Sequence, residues 1–423
     1  DPTKAEYWLD RLETKKERID ALKELGKIGD KAAIPAVLHW FEEKGLWQPE
    51  AAYSLGLLGD ASVVPNLEAG LDYMVGTGTD KRTRARNRTN INIAKSLVNL
   101  KAAQSAGKLM RLLTTPDPAA KEAVTRALGQ LGNPAATDPL IKMASTETHP
   151  FLRKVAIQSL GDLGDEKAVS VLVNSLFTEL PGVSFYYEAR YSLLQLGNKS
   201  IPKLVETLQR KNAAVEAIRL PSGGGIADGA VEGKAAFVLG ALQATETIPM
   251  IVDAMNKYYK LFQNRTRIPI YASVPAAVAE MAYSLGNMGS PKAVPALLKL
   301  AADTDNGIRI AATEALATIG DSSAVSALFS FATKGDAAAQ KAALTAVSML
   351  AAGKDLGRFD ALGSGTDEAT VQRAKVVKTY RARIEAAKTC NTDAACWKGK
   401  LTDSNALVRE RAAMQLGWAK DTS

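Results

Sequence analysis

The chain has 423 residues, a formal net charge of +8 and a pI near 9.2. Hydrophobic residues make up 46% of it but aromatic residues only 6%, a balance typical of closely packed helices. No apolar run reaches the length of about eighteen residues that a membrane-spanning helix needs. With only two histidines and two cysteines, zinc sites and other sites that need several such ligands are disfavoured, so we expect no metal and no cofactor.

A six-residue motif, Leu-Gly-x-(Leu/Ile/Met)-Gly-(Asp/Asn/Ser), recurs along the chain at intervals of about 30 residues. Clear copies occupy 25–30, 55–60, 128–133, 160–165 and 285–290, and weaker copies start at Leu193 and Leu316. Such a period indicates one supersecondary unit per repeat, stacked into a continuous array. Arrays of this kind mostly bind other macromolecules, which lowers the expectation of catalysis.

Each repeat is predicted to be a pair of helices. In the cleanest copy, helix A spans 293–302, a polar turn follows, and helix B spans 308–319 with apolar residues at helical spacing. Gly320 would end helix B in the left-handed conformation, and Asp321 would cap the next helix. The Gly after each motif Leu predicts close contact with the adjacent repeat.

A basic residue stands seven positions before the motif Leu in several repeats. Members of this column are Arg18, Lys121, Arg153, Arg309 and Arg409, and an Asp precedes two of them by four residues, at Asp117 and Asp305. A column present in repeat after repeat is normally part of the scaffold. We therefore expect the Asp to cap helix B and the basic residue to bond across repeats, rather than to bind a partner.

Insertions between helix A and helix B interrupt the repeat at four places, in chain order 73–90, 180–187, 211–233 and 256–274. Equivalent positions in a solenoid lie along one edge, so these loops are predicted to form one rim. The motif decays at 97–102 and 239–244, directly after two long insertions.

The insertions also supply the predicted partner-binding residues. Arg and Tyr are enriched at binding hot spots. The predicted partner-binding residues are Lys81, Arg82, Arg84, Arg86, Arg88, Tyr186, Tyr187, Tyr258, Tyr259, Lys260, Phe262, Arg265 and Arg267. Solvated loops that merely extend the helix pairs are the alternative.

Near the C-terminus, glycines cluster in 353–368, which is predicted to be a hinge between a main array (1–352) and a terminal helix and repeat (369–423). Cys390 and Cys396 stand six positions apart in that end piece. They fit a local disulfide, which would indicate an oxidising compartment. Two unpaired thiols in a cytosolic protein are the alternative.

The motif residues above resemble the HEAT repeat, in the bacterial type named after phycobilin lyases. The resemblance implies an all-α fold, a right-handed α-solenoid of about ten helix-pair repeats with the B helices on the concave face. Deoxyhypusine hydroxylases, which are HEAT-like, bind iron through His-Glu pairs. This chain has no His-Glu dipeptide, which argues against that activity.

The two ends resemble HEAT-repeat lipoproteins of the bacterial envelope, in which a lipidated Cys would stand just before Asp1. That resemblance implies a periplasmic or outer-membrane-associated protein, attached to the membrane only through such an anchor; a cytoplasmic location is the alternative. The sequence as a whole predicts a non-catalytic scaffold that binds protein partners through the rim. A nucleic-acid-binding HEAT-like protein and a phycobilin-lyase-like enzyme stay open as alternatives, with nucleic acid disfavoured by the modest excess charge.

Overall fold

A computed structural model describes residues 1–265 and 273–419, which divide into two compact units, Asp1–Ser200 (unit 1) and Ile201–Ser423 (unit 2). The helices of unit 1 are α1 (Ala5–Leu9), α2 (Arg18–Ile28), α3 (Ile34–Glu42), α4 (Gln48–Leu58), α5 (Val64–Ala69), α6 (Lys81–Asn99), α7 (Ala106–Met110), α8 (Pro118–Leu131), α9 (Thr137–Thr146), α10 (Pro150–Leu163), α11 (Val169–Ser175) and α12 (Tyr186–Leu196). Two short antiparallel strands, β1 (Glu179–Leu180) and β2 (Val183–Ser184), form a hairpin before α12.

Unit 2 continues the same pattern of paired helices. Its helices are α13 (Ile201–Leu208), α14 (Ala213–Glu216), α15 (Ala230–Ala241), α16 (Ile248–Gln263), α17 (Ser273–Asn287), α18 (Val294–Ala301), α19 (Asn306–Ile319), α20 (Val325–Phe331), α21 (Ala337–Leu350), α22 (Leu356–Ala361), α23 (Glu368–Cys390), α24 (Ala394–Lys400) and α25 (Ala406–Trp418). Short 3-10 helices precede the first helix of most pairs, at Lys31–Ala33, Ala61–Val63, Ala103–Ser105, Pro134–Ala136, Glu166–Ala168, Gly197–Ser200, Thr245–Thr247, Pro291–Ala293, Ser322–Ala324 and Gly353–Asp355. Another, Arg111–Thr114, extends α7.

Successive B helices stack on one another, and this stacking builds the core. In unit 1 the stack runs α2, α4, α6, α8, α10 and α12; in unit 2 it runs α15, α17, α19, α21, α23 and α25. The predicted all-α solenoid is confirmed. None of the described helices combines the length and apolar character that crossing a bilayer requires.

The motif glycine is required by the closeness of neighbouring B helices. A Cβ on Gly286 of α17 would lie 2.8 Å from the Cα of Ala315 in α19, nearer than unbonded carbons approach. Gly320 ends α19 in the left-handed region with φ of 81°, where a side chain would be strained. Both predictions for the motif are confirmed: one Gly allows close packing, and the other ends helix B.

The basic column is part of the scaffold, as predicted, and its arginines bond within their own repeat. The Nε of Arg153 donates to the carbonyl of Ala144 (2.7 Å), and the Nε of Arg309 donates to that of Asp303 (2.9 Å). These carbonyls lie where helix A ends, so each arginine ties helix B to the end of its own helix A. The expectation of a bond across repeats is corrected for these arginines, but it holds for Lys121, whose Nζ pairs at 3.4 Å with Glu147 at the end of helix A in the next repeat. Asp305 caps α19 as predicted, by accepting the N–H of Ile308 at 3.0 Å.

The C-terminal repeat is held by a disulfide between Cys390, at the end of α23, and Cys396 in α24. Around it, Ala386, Trp397 and Ala412 belong to one buried cluster. The segment predicted to be a Gly-rich hinge contains α22 and, with α23, forms another helix pair. The division into 1–352, 353–368 and 369–423 stays a prediction.

Candidate functional site

The basic residues of the first insertion belong to a helix and not to a loop. Asp80 begins α6, because its Oδ1 accepts the backbone N–H of both Arg82 and Thr83 at 3.0 Å. Hydrogen bonds from the side chain and backbone of Thr83 lower the pKa of the Asp80 carboxyl, which strengthens this cap. All five predicted cations between Lys81 and Arg88 therefore stand at fixed helical positions, which corrects the prediction of a basic loop.

Two buried asparagines of α6 hold the connecting loop 71–76 against the helix. The Oδ1 of Asn90 accepts the N–H of Asp72 (2.9 Å), and its amide donates to the Asp72 carbonyl (2.7 Å). The amide of Asn87 donates to the carbonyl of Gly76 at 2.9 Å. Asn90 is fully buried and Asn87 is 5% exposed. Side chains of α6 thus satisfy three backbone groups of the loop, and these hydrogen bonds determine its conformation.

Between this loop and the neighbouring repeats lies a cleft of about 670 Å³. We call it the basic cleft and define it by six of its lining residues: Lys44, Asp72, Tyr73, Arg82, Arg86 and Arg111. It lies wholly within unit 1. Four cationic side chains line it and only one carboxylate. Part of the excess positive charge of the chain is therefore concentrated in this cleft.

Asp72 is the one acidic group in the basic cleft, and it is fully engaged. Its Oδ2 accepts a hydrogen bond from the Nε of Arg86 at 2.6 Å, and its Oδ1 accepts the N–H of Met74 at 3.0 Å. Burial opposes ionisation of Asp72, but the hydrogen bond and charge of Arg86 outweigh it and lower the pKa of the carboxyl. Lys44 adds a weaker attraction from the opposite wall. Asp72 therefore stays charged and orients Arg86.

The helical period sorts the five cations of α6 onto different faces. Arg82 and Arg86 are four residues apart, share one face and line the basic cleft. The remaining three lie on another face, at spacings of three and four residues: Lys81, Arg84 and Arg88. Of these, Arg88 pairs through Nη2 with the buried Glu50 of α4 at 2.6 Å, so it ties α6 to α4.

Four of the six residues that define the basic cleft were not among the predicted contacts, because they come from outside the cation run: Lys44, Asp72, Tyr73 and Arg111. Lys44 lies in the α3–α4 connection of the preceding repeat, and Arg111 follows α7 in the next repeat. The Cζ of Arg111 lies 3.8 Å above the ring centre of Tyr73. Lys44 has a left-handed backbone, with φ of 49°. The alignment of the repeats could have predicted Lys44 and Arg111, because the A–B connections of adjacent repeats lie at the same end of the stack.

The aromatic residues of the last insertion are buried, which corrects their predicted place on a loop rim. Tyr258, Tyr259 and Phe262 belong to α16 and are 4%, 2% and 4% exposed. The Oη of Tyr258 donates to buried Glu232 (2.8 Å), and that of Tyr259 donates to Asp303 (2.6 Å). Burial and the bonded carboxylates raise the pKa of Tyr259 to about 12 and that of Tyr258 further. These rings stabilise unit 2 and present no surface to a partner.

The other predicted contacts do not join the basic cleft. Lys260 is exposed on α16, and the guanidinium of Arg265 lies 4.0 Å over the ring of Phe262. Arg267 lies outside the described residues. In unit 1, Tyr186 and Tyr187 stand in the first turn of α12, with ring centres 5.5 Å apart; Tyr187 is 68% exposed. Neither tyrosine lines the basic cleft.

Family comparison assigns the repeat type. A model described as HEAT repeats matches residues 81–161, 108–183 and 272–348, which include α6 and parts of both units. The chain is a HEAT-like repeat protein. No curated protein matches its sequence.

Solved structures agree on the solenoid fold. A Kap121p mutant is 13% identical with a TM-score of 0.58, over 98% of this chain and 49% of that one. Kap121p bound to Pho4p is 13% identical with a TM-score of 0.54, over 98% and 51%. This HEAT-like chain therefore spans about half the length of Kap121p, and at this identity the likeness concerns the fold alone.

Two further structures are similar at lower scores. The complex of CpcE and CpcF of phycocyanin lyase from Nostoc sp. PCC7120 is 21% identical, with a TM-score of 0.27 over 65% of this chain and 94% of that chain. Human deoxyhypusine hydroxylase in complex with glycerol is 20% identical, with a TM-score of 0.25 over 74% and 94%.

In the described part of this chain, no group of three or more His, Cys, Asp or Glu side chains is placed to hold a metal ion.

Proposed function

We propose that this HEAT-like repeat protein is a non-catalytic scaffold that binds a protein partner through the basic cleft of unit 1. The observation that carries the proposal is the preformed concentration of cations: four line one cleft, and only Arg86 is paired with a carboxylate there. Kap121p, which shares the fold, is seen bound to another protein, Pho4p. Binding on a rigid repeat array is the general use of such folds.

A scaffold fits the way this chain uses its buried charges. Charged residues less than a tenth exposed in the described structure are Arg18, Glu50, Glu232, Arg309, Arg383 and Arg411. Each bonds to a backbone carbonyl or to an opposite charge on a neighbouring helix. Enzymes instead gather perturbed titratable groups in a cleft that admits substrate. Here the buried charges hold helices together.

The partner assignment is testable by chemical crosslinking in cells of the source organism, followed by affinity purification and mass spectrometry. The variant carries Arg82→Gln and Arg86→Gln. Its matched control carries Lys81→Gln and Arg84→Gln, which removes the same charge from the same helix on another face. We expect one protein to crosslink to the native chain and to the control but to be depleted in the cleft variant. Equal recovery from all three chains would contradict the assignment.

We further propose that the protein works in an oxidising compartment, the bacterial periplasm or the outer membrane surface, held there by a lipid anchor. The disulfide between Cys390 and Cys396 supports the oxidising compartment, since such bonds persist mainly outside the reducing cytosol. Intact cells can be treated with a membrane-permeant alkylating reagent before lysis. Unmodified, disulfide-bonded cysteines are expected; full alkylation of both would place the protein in a reducing compartment.

A further inference from the structure

We propose that the basic cleft receives an extended acidic segment of the partner, with carboxylates on alternate residues. This inference rests on the proposed scaffold function and specifies the chemistry that the scaffold recognises. It follows from which donors in the cleft are free, how they are spaced and what lies between them.

All four cations have free donors, since Arg111 stacks on Tyr73 through the face of its guanidinium and so keeps its N–H groups available. Neither the Arg82 guanidinium nor the Lys44 ammonium has a hydrogen-bond or ion-pair partner within the described residues. Arg86 uses its Nε–H on Asp72, which leaves the Nη donors of its guanidinium. These donors face a cleft that contains no further carboxylate among its lining residues. The cleft can therefore satisfy more negative charge than it holds.

The spacing of these donors favours an extended chain. Arg82 and Arg86 are one helical turn apart, so their attachment points are separated by about 6 Å along α6. Alternate side chains of an extended peptide point the same way at intervals of about 6.5 to 7 Å. Two carboxylates separated by one residue thus match the two guanidinium groups. Arginine suits this role because its planar fork can bind a carboxylate through two parallel hydrogen bonds.

The wall between the cations offers apolar contact for the partner's other side chains. Gly70, Leu71 and Tyr73 line it, and Met74 stands at its edge with 87% of its side chain exposed. A methionine so exposed is unusual, and its flexible thioether adapts to different apolar groups. The Arg111 guanidinium lies over the Tyr73 ring and helps to hold it in the cleft.

The loop of the cleft and one of its cations are fixed before anything binds. Asn90 and Asn87 hold the loop backbone, and Asp72 holds Arg86, so these groups have little conformational freedom left to lose. An unstructured acidic segment would lose its own freedom on binding, and a preformed site limits the total loss. A scaffold can in this way retain a flexible partner with a small surface.

Nucleic acid is a poorer fit to the same geometry. Arg88 is turned away and paired with Glu50. Duplex binding generally needs phosphate contacts repeated along a longer surface. A confined cleft of about 670 Å³ matches a few side chains of a peptide instead.

The experiment measures fluorescence anisotropy of a short fluorescein-labelled peptide that alternates Glu with Leu and Thr. The full-length chain is titrated against it, against the same peptide with Gln in place of Glu, and against a single-stranded oligonucleotide of equal charge. We expect the Glu peptide to bind at least about tenfold more tightly than the Gln peptide, because each charge-assisted hydrogen bond contributes about 1.5 to 3 kcal/mol, where 1.4 kcal/mol is tenfold.

Matched variants locate the binding. Arg82→Gln is expected to weaken Glu-peptide binding about tenfold, and Arg84→Gln, with the same charge change on another face of α6, less than twofold. Equal losses in the two variants, or tighter binding of the oligonucleotide than of the peptide, would overturn the inference. If the peptide does not bind while the crosslinked partner is still lost from the cleft variant, acidic recognition fails and the scaffold function stands. If no partner crosslinks but the peptide binds at Arg82, the scaffold function fails instead.

Discussion

The insertions around α6 and α16 look alike in sequence and differ in structure. Both extend a helix, and both combine basic residues with aromatic or apolar ones. In α6 the cations at Arg82 and Arg86 face a solvent-filled cleft. In α16 the aromatic rings at Tyr258 and Phe262 face the core of unit 2. The difference teaches that residue type does not identify a binding surface until its helical face is known.

Periodicity explains the difference between the two insertions. The buried residues of α16 form a continuous stripe at helical spacing. Ile251, Met255 and Phe262 belong to it, and Tyr258 and Tyr259 each lie three or four residues from Met255 and from Phe262. In α6 the same steps from Arg82 lead to Arg86 and Thr89, which line the cleft. The predictions below, from the largest expected effect to the smallest, test whether one insertion is core and the other surface.

Replacing Phe262 by Ala should have the largest effect, because it removes a buried ring from the α16 stripe. The expected loss is about 3 to 5 kcal/mol in the free energy of unfolding of unit 2, by analogy with other buried phenylalanines. Chemical denaturation followed by circular dichroism measures it. Lys260→Ala, on an exposed position of the same helix, is the control. If both substitutions had equally small effects, α16 would not be core.

Asn90→Ala tests whether Asn90 holds the loop of the α6 insertion in place. The substitution leaves the N–H and carbonyl of Asp72 without their partner, so we expect a loss of about 2 to 3 kcal/mol. Hydrogen exchange should accelerate in residues 71–76 while the rest of unit 1 stays protected. Asn99→Ala, exposed at the end of the same helix, should leave exchange unchanged. Unaltered protection of the loop in Asn90→Ala would show that the cleft is not held by this residue.

Tyr258→Phe removes a single hydroxyl from the α16 stripe and keeps its ring. Buried Glu232 then loses one donor but keeps Arg210 at 3.4 Å, so the expected loss is about 1 to 2 kcal/mol. Thermal unfolding monitored by circular dichroism measures the change. Tyr187→Phe, in which the hydroxyl is lost from a ring that is 68% exposed, should not shift the midpoint. An equal shift of the midpoint in Tyr258→Phe and Tyr187→Phe would contradict the assignment of Tyr258 to the core.

The fold was predictable because the motif residues act locally and repeatedly. Gly286 and Gly320 have roles that follow from their position in a helix pair, and the Asp305 cap follows from the residue type at a helix start. Errors arose where an insertion continued a helix beyond the repeat length. In α6 and α16 the motif period no longer gives the boundaries, and the helix starts or ends inside the inserted residues.

The candidate site was predictable only in part, because a cleft depends on residues from several repeats. The cation run of α6 was visible, and it supplied Arg82 and Arg86. Lys44 and Arg111 lie about 40 and 30 residues away in sequence from them and reach the cleft only through the stacking of repeats. Nor could spacing alone show that Asp72 would orient Arg86, since that contact depends on how Asn90 folds the loop back.

The smallest expected effect is the change in stability when a cation of the cleft is replaced. Its size distinguishes a binding surface from a structural one. Arg82 is exposed and its guanidinium bonds to no group within the described residues, so Arg82→Gln should change the free energy of unfolding by no more than about 0.5 kcal/mol. Denaturant titration measures this, with Arg88→Gln as the comparison, because Arg88 holds buried Glu50 and its loss should destabilise unit 1 more. An exposed cation that can be removed without weakening the fold is not needed for folding, which leaves it available for binding. A destabilisation by Arg82→Gln as large as that by Arg88→Gln would instead make the cleft cations part of the scaffold, like the arginine column, and would remove the reason for assigning them a partner.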